Sequence, residues 1–230
     1  MNIRISKYLS SAGICSRRDA EKLIVEKRIK INDQTCFHPS HKVSDLDIIK
    51  VNNKVIKISK KIEVWKLYKP IKYICSSKDN LGRKKIFDLL PKNISKLISV
   101  GRLDYMSEGL ILLTNNGDYS RYLEHPSSNI ERIYRVCVNN NVKNNDLKKI
   151  NKGIKVKEIS YNKVKVVFEK KLKDHNWLIF KLKEGKNREI RNICNYFSWN
   201  IVKLIRIGYG PYKLGRLREG QFQKLNPISK

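Results

Sequence analysis

Between residues 64 and 230 the chain carries eight strand-like segments and only three helix-like ones, and this imbalance most narrows the choice of fold. The strand-like segments are Val64–Tyr68, Tyr73–Ser76, Ile98–Val100, Leu110–Thr114, Ile133–Val138, Val164–Phe168, Trp177–Leu182 and Ile201–Ile207. Asp118–Glu124, Val142–Ile150 and Asn187–Phe197 carry the helical spacing. Many short strands with few helices between them predict an α+β domain on a mostly antiparallel sheet. No apolar run exceeds four residues, the length of Leu110–Leu113. A membrane-spanning helix needs about 20.

The first 60 residues read as a separate module. Ile5, Tyr8, Leu9 and Ala12 recur at helical spacing, and Gly13 follows as a stop. Ser16 opens a second helix, with Asp19 three residues on as its capping-box partner. Ala20, Leu23 and Ile24 form the apolar stripe, opposite Arg17, Arg18, Glu21, Lys22 and Lys27. Ile29 and Ile31 alternate, Asn32-Asp33 makes a turn, and short strands are expected near Ile48–Val51 and Val55–Ile58. Residues 57 to 63 read as a linker, giving domains at 1–60 and 61–230.

Lys plus Arg total 50 against 21 acidic residues, a formal charge of +29, or about one net positive charge for every eight residues. Such a chain calls for a polyanionic partner, nucleic acid before membrane. The N-terminus mixes Arg4 and Lys7 into its apolar residues and lacks the apolar core of a signal peptide. Five scattered cysteines with no CxxC fit a reducing cytoplasm. Cys36, His38 and His41 lie close together, but a structural zinc site needs a second ligand cluster, so no metal is expected. Neither a phosphate-binding loop nor a dinucleotide fingerprint is present; Gly208-x-Gly210 lacks the third glycine. Any chemistry must come from side chains.

The most distinctive segment is Val100-Gly101-Arg102-Leu103-Asp104, followed by Ser107-Glu108-Gly109 and the run Leu110–Thr114. An apolar strand feeds a Gly-Arg-Leu-Asp loop that leads into a second apolar strand. A carboxylate beside a sheet edge, with arginine nearby, can be held ionised and aimed, as a carboxylate nucleophile requires. From the residues alone, an aspartate capping a turn is the favoured reading.

This segment resembles the signature of pseudouridine synthases, in the branch that modifies ribosomal RNA and carries an S-four type RNA-binding domain in front. Residues 4 to 33 resemble that RNA-binding domain. Glu131-Arg132-Ile133-Tyr134-Arg135-Val136 resembles the family's tyrosine strand, Glu184 to Arg191 its third motif, and Val202-x-Leu204-x-Arg206-Ile207 the strand after it. The stretches EGKNREIRN and LIRIGYG are closer to large-subunit (23S) enzymes than to small-subunit ones.

The resemblance implies roles. Asp104 is the nucleophile, attacking the target uridine at the sugar C1′ or, in an older alternative, on the ring. Tyr134 stacks on the flipped base, Leu204 forms an apolar floor, and Arg191 pairs with Asp104. Arg188, three residues earlier on the same expected helix, is the rival for that pairing, although Glu184 and Glu189 stand near it as acidic neighbours of its own. Arg102 helps extrude the base. Lys7, Arg17, Arg18, Lys27 and Arg28 contact RNA phosphates, as do Lys186 and Arg188. Two departures stand out. The family usually has glycine at Lys27 and often at Asp33, so a differently shaped corner is expected after the second helix. Met106 stands where a small polar residue is common, which bears on substrate preference. The implied partner is ribosomal RNA or a pre-ribosomal particle, met by a cytoplasmic monomer with no cofactor. A non-catalytic ribosome-assembly protein and a tRNA-modifying enzyme are the competing readings. The first has no need for Asp104, Tyr134 and Arg191 together.

Overall fold

The structure is a computed structural model that describes residues 2–228 except 60, 92, 93, 95, 140 and 163. Lys60, inside the expected linker, therefore lies outside the described residues. The chain forms two compact units, residues 1–63 with 93–98 and 114–119, and residues 64–92, 99–113 and 120–230.

In chain order the first unit holds β1 (Ile3–Arg4), α1 (Ile5–Ser11), α2 (Arg17–Val25), β2 (Ile29–Ile31), β3 (Gln34–Thr35), β4 (Lys42–Val43), β5 (Ile49–Val51) and β6 (Lys54–Ile56). Strands β3-β2-β5-β6 make one sheet, and β1 pairs with β4. Ile5, Leu9, Ala20, Ile24, Ile29 and Ile49 are fully buried between helices and sheet. Ser16 caps α2: its hydroxyl accepts the Asp19 N–H and donates to the Asp19 carboxylate at 2.7 Å.

The corner after α2 is not reshaped by the missing glycine. Lys27 itself takes the left-handed conformation, φ 56°. Its N–H donates to Ile24 O and the Arg28 N–H to Leu23 O, the bonding of a Schellman cap. Asp33, where the family often has glycine, is also left-handed at φ 68°, beside Asn32 at 48°. Two successive positive φ values make the tight hairpin turn between β2 and β3. The backbone path is kept at a cost of about 1–2 kcal/mol for a left-handed non-glycine residue.

The rest of the chain supplies β7 (Val64–Lys69), β8 (Ile98–Val100), β9 (Glu108–Thr114), α3 (Gly117–Glu124), β10 (Arg132–Val138), α4 (Asn144–Lys152), β11 (Ile154–Val156), β12 (Ile159–Tyr161), β13 (Lys165–Lys171), β14 (Asn176–Leu182), α5 (Glu189–Tyr196), β15 (Ile201–Tyr209), β16 (Tyr212–Lys213) and β17 (Phe222–Leu225). A nine-stranded sheet runs β13-β14-β10-β15-β9-β7-β17, with β16 added on β15 and β8 on β9. The α+β architecture and mostly antiparallel sheet match the expectation. β15 and β9 run parallel, through Ile205↔Glu108 and Arg206↔Gly109. On one face of the sheet, Val136, Leu178, Phe180 and Leu204 pack with Ile150 of α4 and Ile193 of α5. Every residue of β9 is buried. Its four consecutive aliphatic side chains, Leu110 to Leu113, each contribute roughly 1.5–3 kcal/mol of burial.

Several expectations differ from the structure: α4 runs Asn144–Lys152, two residues later than expected, and β11, β12 and β16 are additional short strands. Tyr73–Ser76 is not a strand; it makes a single bridge, Ile74↔Lys85. The helix expected from Asn187 begins at Glu189, because Arg188 is left-handed, φ 52°. β17, unexpected from the sequence, closes the sheet edge against β7.

Candidate active site

A cleft of about 270 Å³ opens on the second unit, and Asp104, Tyr134, Arg188, Arg191, Leu204 and Arg102 all line it. Its aspartate sits on the loop between β8 and β9. Gly101 turns that loop with φ +66°. Lys69, at the end of β7, fastens it from below. Its ammonium is fully buried and donates to Ser107 O at 2.7 Å, Pro70 O at 2.9 Å and Tyr105 O at 3.5 Å. Burial, more than any neighbour, pulls the Lys69 pKa down to about 8. The Cys75 thiol donates to Leu103 O and receives the Leu103 N–H. With the loop held on both sides of Asp104, the carboxylate is presented to the cleft half-exposed.

Gly109 is fixed by the close run of β9 against β15. A Cβ there would lie 2.4 Å from Arg206 O and 2.8 Å from Arg206 N, and φ is +100°. Both contacts are backbone, so a side chain has nowhere to go.

Arg191, on α5, is the tighter partner of Asp104. Its Nε donates to Asp104 Oδ2 at 3.3 Å, and Nη2 donates to Met106 O at 2.9 Å and Ser107 Oγ at 3.0 Å. Arg188 stands farther off at 3.8 Å, its side chain 54% exposed against 14% for Arg191. The acidic neighbours expected to hold Arg188 do not. Glu184 pairs with Lys186 at 2.7 Å, and Glu189 turns inward to accept the Lys186 N–H at 3.1 Å. Lys186 is thus engaged by Glu184 and by Ser160 O at 2.6 Å. Arg102 is exposed at the rim.

Tyr134 of β10 is half-buried, flanked in register by Phe180 of β14 and Arg206 of β15. Leu204 lies opposite Val136 and is buried, an apolar floor continuous with the core.

Sequence reasoning missed the polar wall behind that floor. Arg132 is 7% exposed and donates to the carbonyls of Ile130, Lys183 and Glu124 and to the Tyr209 hydroxyl. The Tyr209 ring has the guanidinium of Arg132 4.9 Å from its centroid and that of Arg206 5.1 Å away. Its hydroxyl donates to Leu123 O, and burial raises its pKa. Glu189 is 4% exposed, and burial pushes its pKa up to about 7. Arg132, Glu189 and Arg206 all lie inside the recognised motifs; for Arg132 and Arg206 a charge within an apolar strand is the available signal, and Glu189, at the start of α5, offers none.

In the first unit Arg17, Arg18 and Lys27 are exposed. Lys7 pairs with Asp118 at 2.8 Å, and Arg28 with Glu26 at 2.9 Å and Asn52 at 2.8 Å. Cys36, weighed as a zinc ligand, directs its thiol at His38 O.

A basic helix-and-sheet unit thus precedes, along the chain, a sheet domain with a carboxylate-bearing cleft, an arrangement that suits an RNA-directed enzyme. The family model described as RNA pseudouridylate synthase matches residues 63–196, and that of the S4 domain matches residues 3–49. The chain belongs to the RNA pseudouridine synthase family, with an S4 domain in front. It is 42% identical over 223 residues to an uncharacterized RNA pseudouridine synthase of Rickettsia prowazekii (strain Madrid E), covering 97% of this chain and 94% of that one. To the ribosomal large subunit pseudouridine synthase B of Bacillus subtilis (strain 168) it is 32% identical over 227 residues, covering 97% and 92%. A crystal structure of a pseudouridylate synthase superimposes with a TM-score of 0.69 at 25% identity, covering 97% and 96%.

Proposed function

We propose that this pseudouridine synthase isomerises uridine in ribosomal RNA, at a large-subunit (23S) site, with Asp104 as the nucleophile. The observation that carries the reading is Asp104 itself. It is the cleft carboxylate held by two guanidiniums, Arg191 at 3.3 Å and Arg188 at 3.8 Å, close to an aromatic ring and an apolar floor. The reaction replaces the N1–C1′ bond of uridine by a C5–C1′ bond without changing the atom count. It therefore requires no oxidant and no group donor. Asp104 takes C1′ as N1 leaves, the uracil turns on Tyr134 and Leu204, and C5 displaces the carboxylate. C5 then loses its proton, and N1 gains one.

Arg191 fixes the direction of attack, while exposed Arg188 and Arg102 meet phosphate at the rim. Arg17, Arg18 and Lys27 of the S4 domain add contacts to the RNA backbone, where N–H groups at the start of α2 also favour phosphate. The large-subunit assignment rests on relatives such as the Bacillus subtilis enzyme, which carries that name. Mapping pseudouridines in both ribosomal RNAs from cells with and without the gene tests it. The expected result is loss of one or more large-subunit sites. Loss confined to small-subunit RNA or tRNA would overturn the substrate assignment.

A further inference from the structure

Two buried polar atoms of the cleft wall, Glu189 Oε1 and Arg206 Nη2, have no hydrogen-bond partner among the described residues. Leaving such an atom unpaired costs about 1–3 kcal/mol, more for a charged group. Orphans of this kind call for an explanation, and a ligand that supplies the missing partner is one. Each side chain is held in place through another of its atoms. Arg206 spends Nε on Leu110 O at 2.7 Å, and its guanidinium packs on Tyr209. Glu189, the first residue of α5, spends Oε2 on the Lys186 N–H. What remains is one donor and one acceptor, each closed off from solvent, on two residues that line the cleft with Asp104 and Tyr134. No ion pair joins the two among the described residues.

We infer that Glu189 and Arg206 read the edge of the target base: Glu189 Oε1 accepts the uracil N3–H, and Arg206 Nη2 donates to a neighbouring ring carbonyl. This rests on Asp104 acting on uridine, and it makes both residues specificity determinants. Reading the base this way requires position 3 of the ring to face Glu189 while the sugar lies at Asp104 and the ring against Tyr134. Uracil carries a proton there. Cytosine carries a lone pair there, which the Glu189 carboxylate repels once it is ionised, above about pH 7. Burial already makes the Glu189 charge costly, and an N3–H bond offsets part of that cost.

The test uses the full-length enzyme and a synthetic RNA spanning its mapped site, with uridine, 3-deazauridine or cytidine at the target. 3-Deazauridine has carbon in place of N3–H. The variant is Glu189→Gln, isosteric and able to keep the Lys186 N–H bond through its oxygen, which turns the amide NH2 toward the base. Wild type should lose roughly 10–100-fold in kcat/KM on 3-deazauridine, the size of one hydrogen bond to a charged group. In Glu189→Gln, uridine and 3-deazauridine should fall within about threefold of each other. The affinity preference for uridine over cytidine RNA, which needs no turnover, should shrink at least tenfold. An unchanged 3-deazauridine penalty and an unchanged uridine preference in the variant would overturn the inference. Failure of wild type to convert uridine at all would instead remove the proposed function beneath it.

Discussion

Replacing Arg191 should cripple the chemical step, and replacing Arg188 should not. The two guanidiniums sit three residues apart and both reach Asp104, but their surroundings differ. Arg191→Ala removes the bond to Asp104 at 3.3 Å and also those to Met106 O and Ser107 Oγ at 2.9 and 3.0 Å. Bonds from a charged donor are worth about 1.5–3 kcal/mol each, and Arg191 is shielded enough to keep most of that. If about 3–4 kcal/mol of orientation is lost at the Asp104 carboxylate, the rate falls roughly 10²–10³-fold. The Arg188 pair spans 3.8 Å with a side chain 54% exposed. Solvent-screened pairs contribute about 0–1 kcal/mol, so the chemical step should slow less than about fivefold. RNA affinity should weaken instead, in a salt-dependent way. Single-turnover rates at saturating enzyme separate chemistry from binding. Should Arg188→Ala abolish the chemical step while Arg191→Ala spares it, the assignment is reversed.

Three other perturbations follow from the packing. Gly109→Ala forces a Cβ within 2.4 Å of Arg206 O at a φ of +100°, and should cost about 3–5 kcal/mol in denaturant unfolding, or prevent folding; a change below 1 kcal/mol would refute the close-approach argument. Lys27→Gly relieves a left-handed lysine and should raise stability by about 1 kcal/mol, read as a higher unfolding midpoint. Glu189 has a folded pKa of about 7 against an ordinary 4.5, so only the folded state holds its proton between those values, and stability from this group falls as pH rises through that window. The stability of Glu189→Gln relative to wild type should therefore improve by up to roughly 3 kcal/mol from pH 4.5 to pH 8, with Glu184, Lys186 and Arg132 as the charged groups facing it; a pH-independent difference would contradict the burial.

The sheet was legible because strand periodicity is local. β9, β10, β14 and β15 lie where their alternating or continuous apolar residues place them. Errors arose where one backbone angle decides. Arg188 in the left-handed region delays α5, and no property of arginine signals that. Lys27 shows the reverse: the glycine was absent, yet the Schellman bonds and the burial of Ile24 and Ile29 hold the same turn. Tyr73–Ser76 has strand composition but finds only one bridging partner.

Within the site, Asp104 and Arg191 were identified through motif resemblance, and the structure brings them together. Arg132, Arg206 and Lys69 were missed because a buried charge depends on partners distant in sequence. Arg132 reaches Lys183 O, 51 residues away, and Arg206 reaches Leu110 O, 96 away. No local pattern announces such carbonyls.

The central claim is that Asp104 is the nucleophile, and Asp104→Asn tests it most directly. The substitution keeps size and shape, so the variant should fold and bind RNA as wild type does. Single-turnover conversion of uridine in its ribosomal RNA substrate should fall roughly 10⁴-fold or more, as for other covalent nucleophiles. A residual rate within tenfold of wild type would contradict the account.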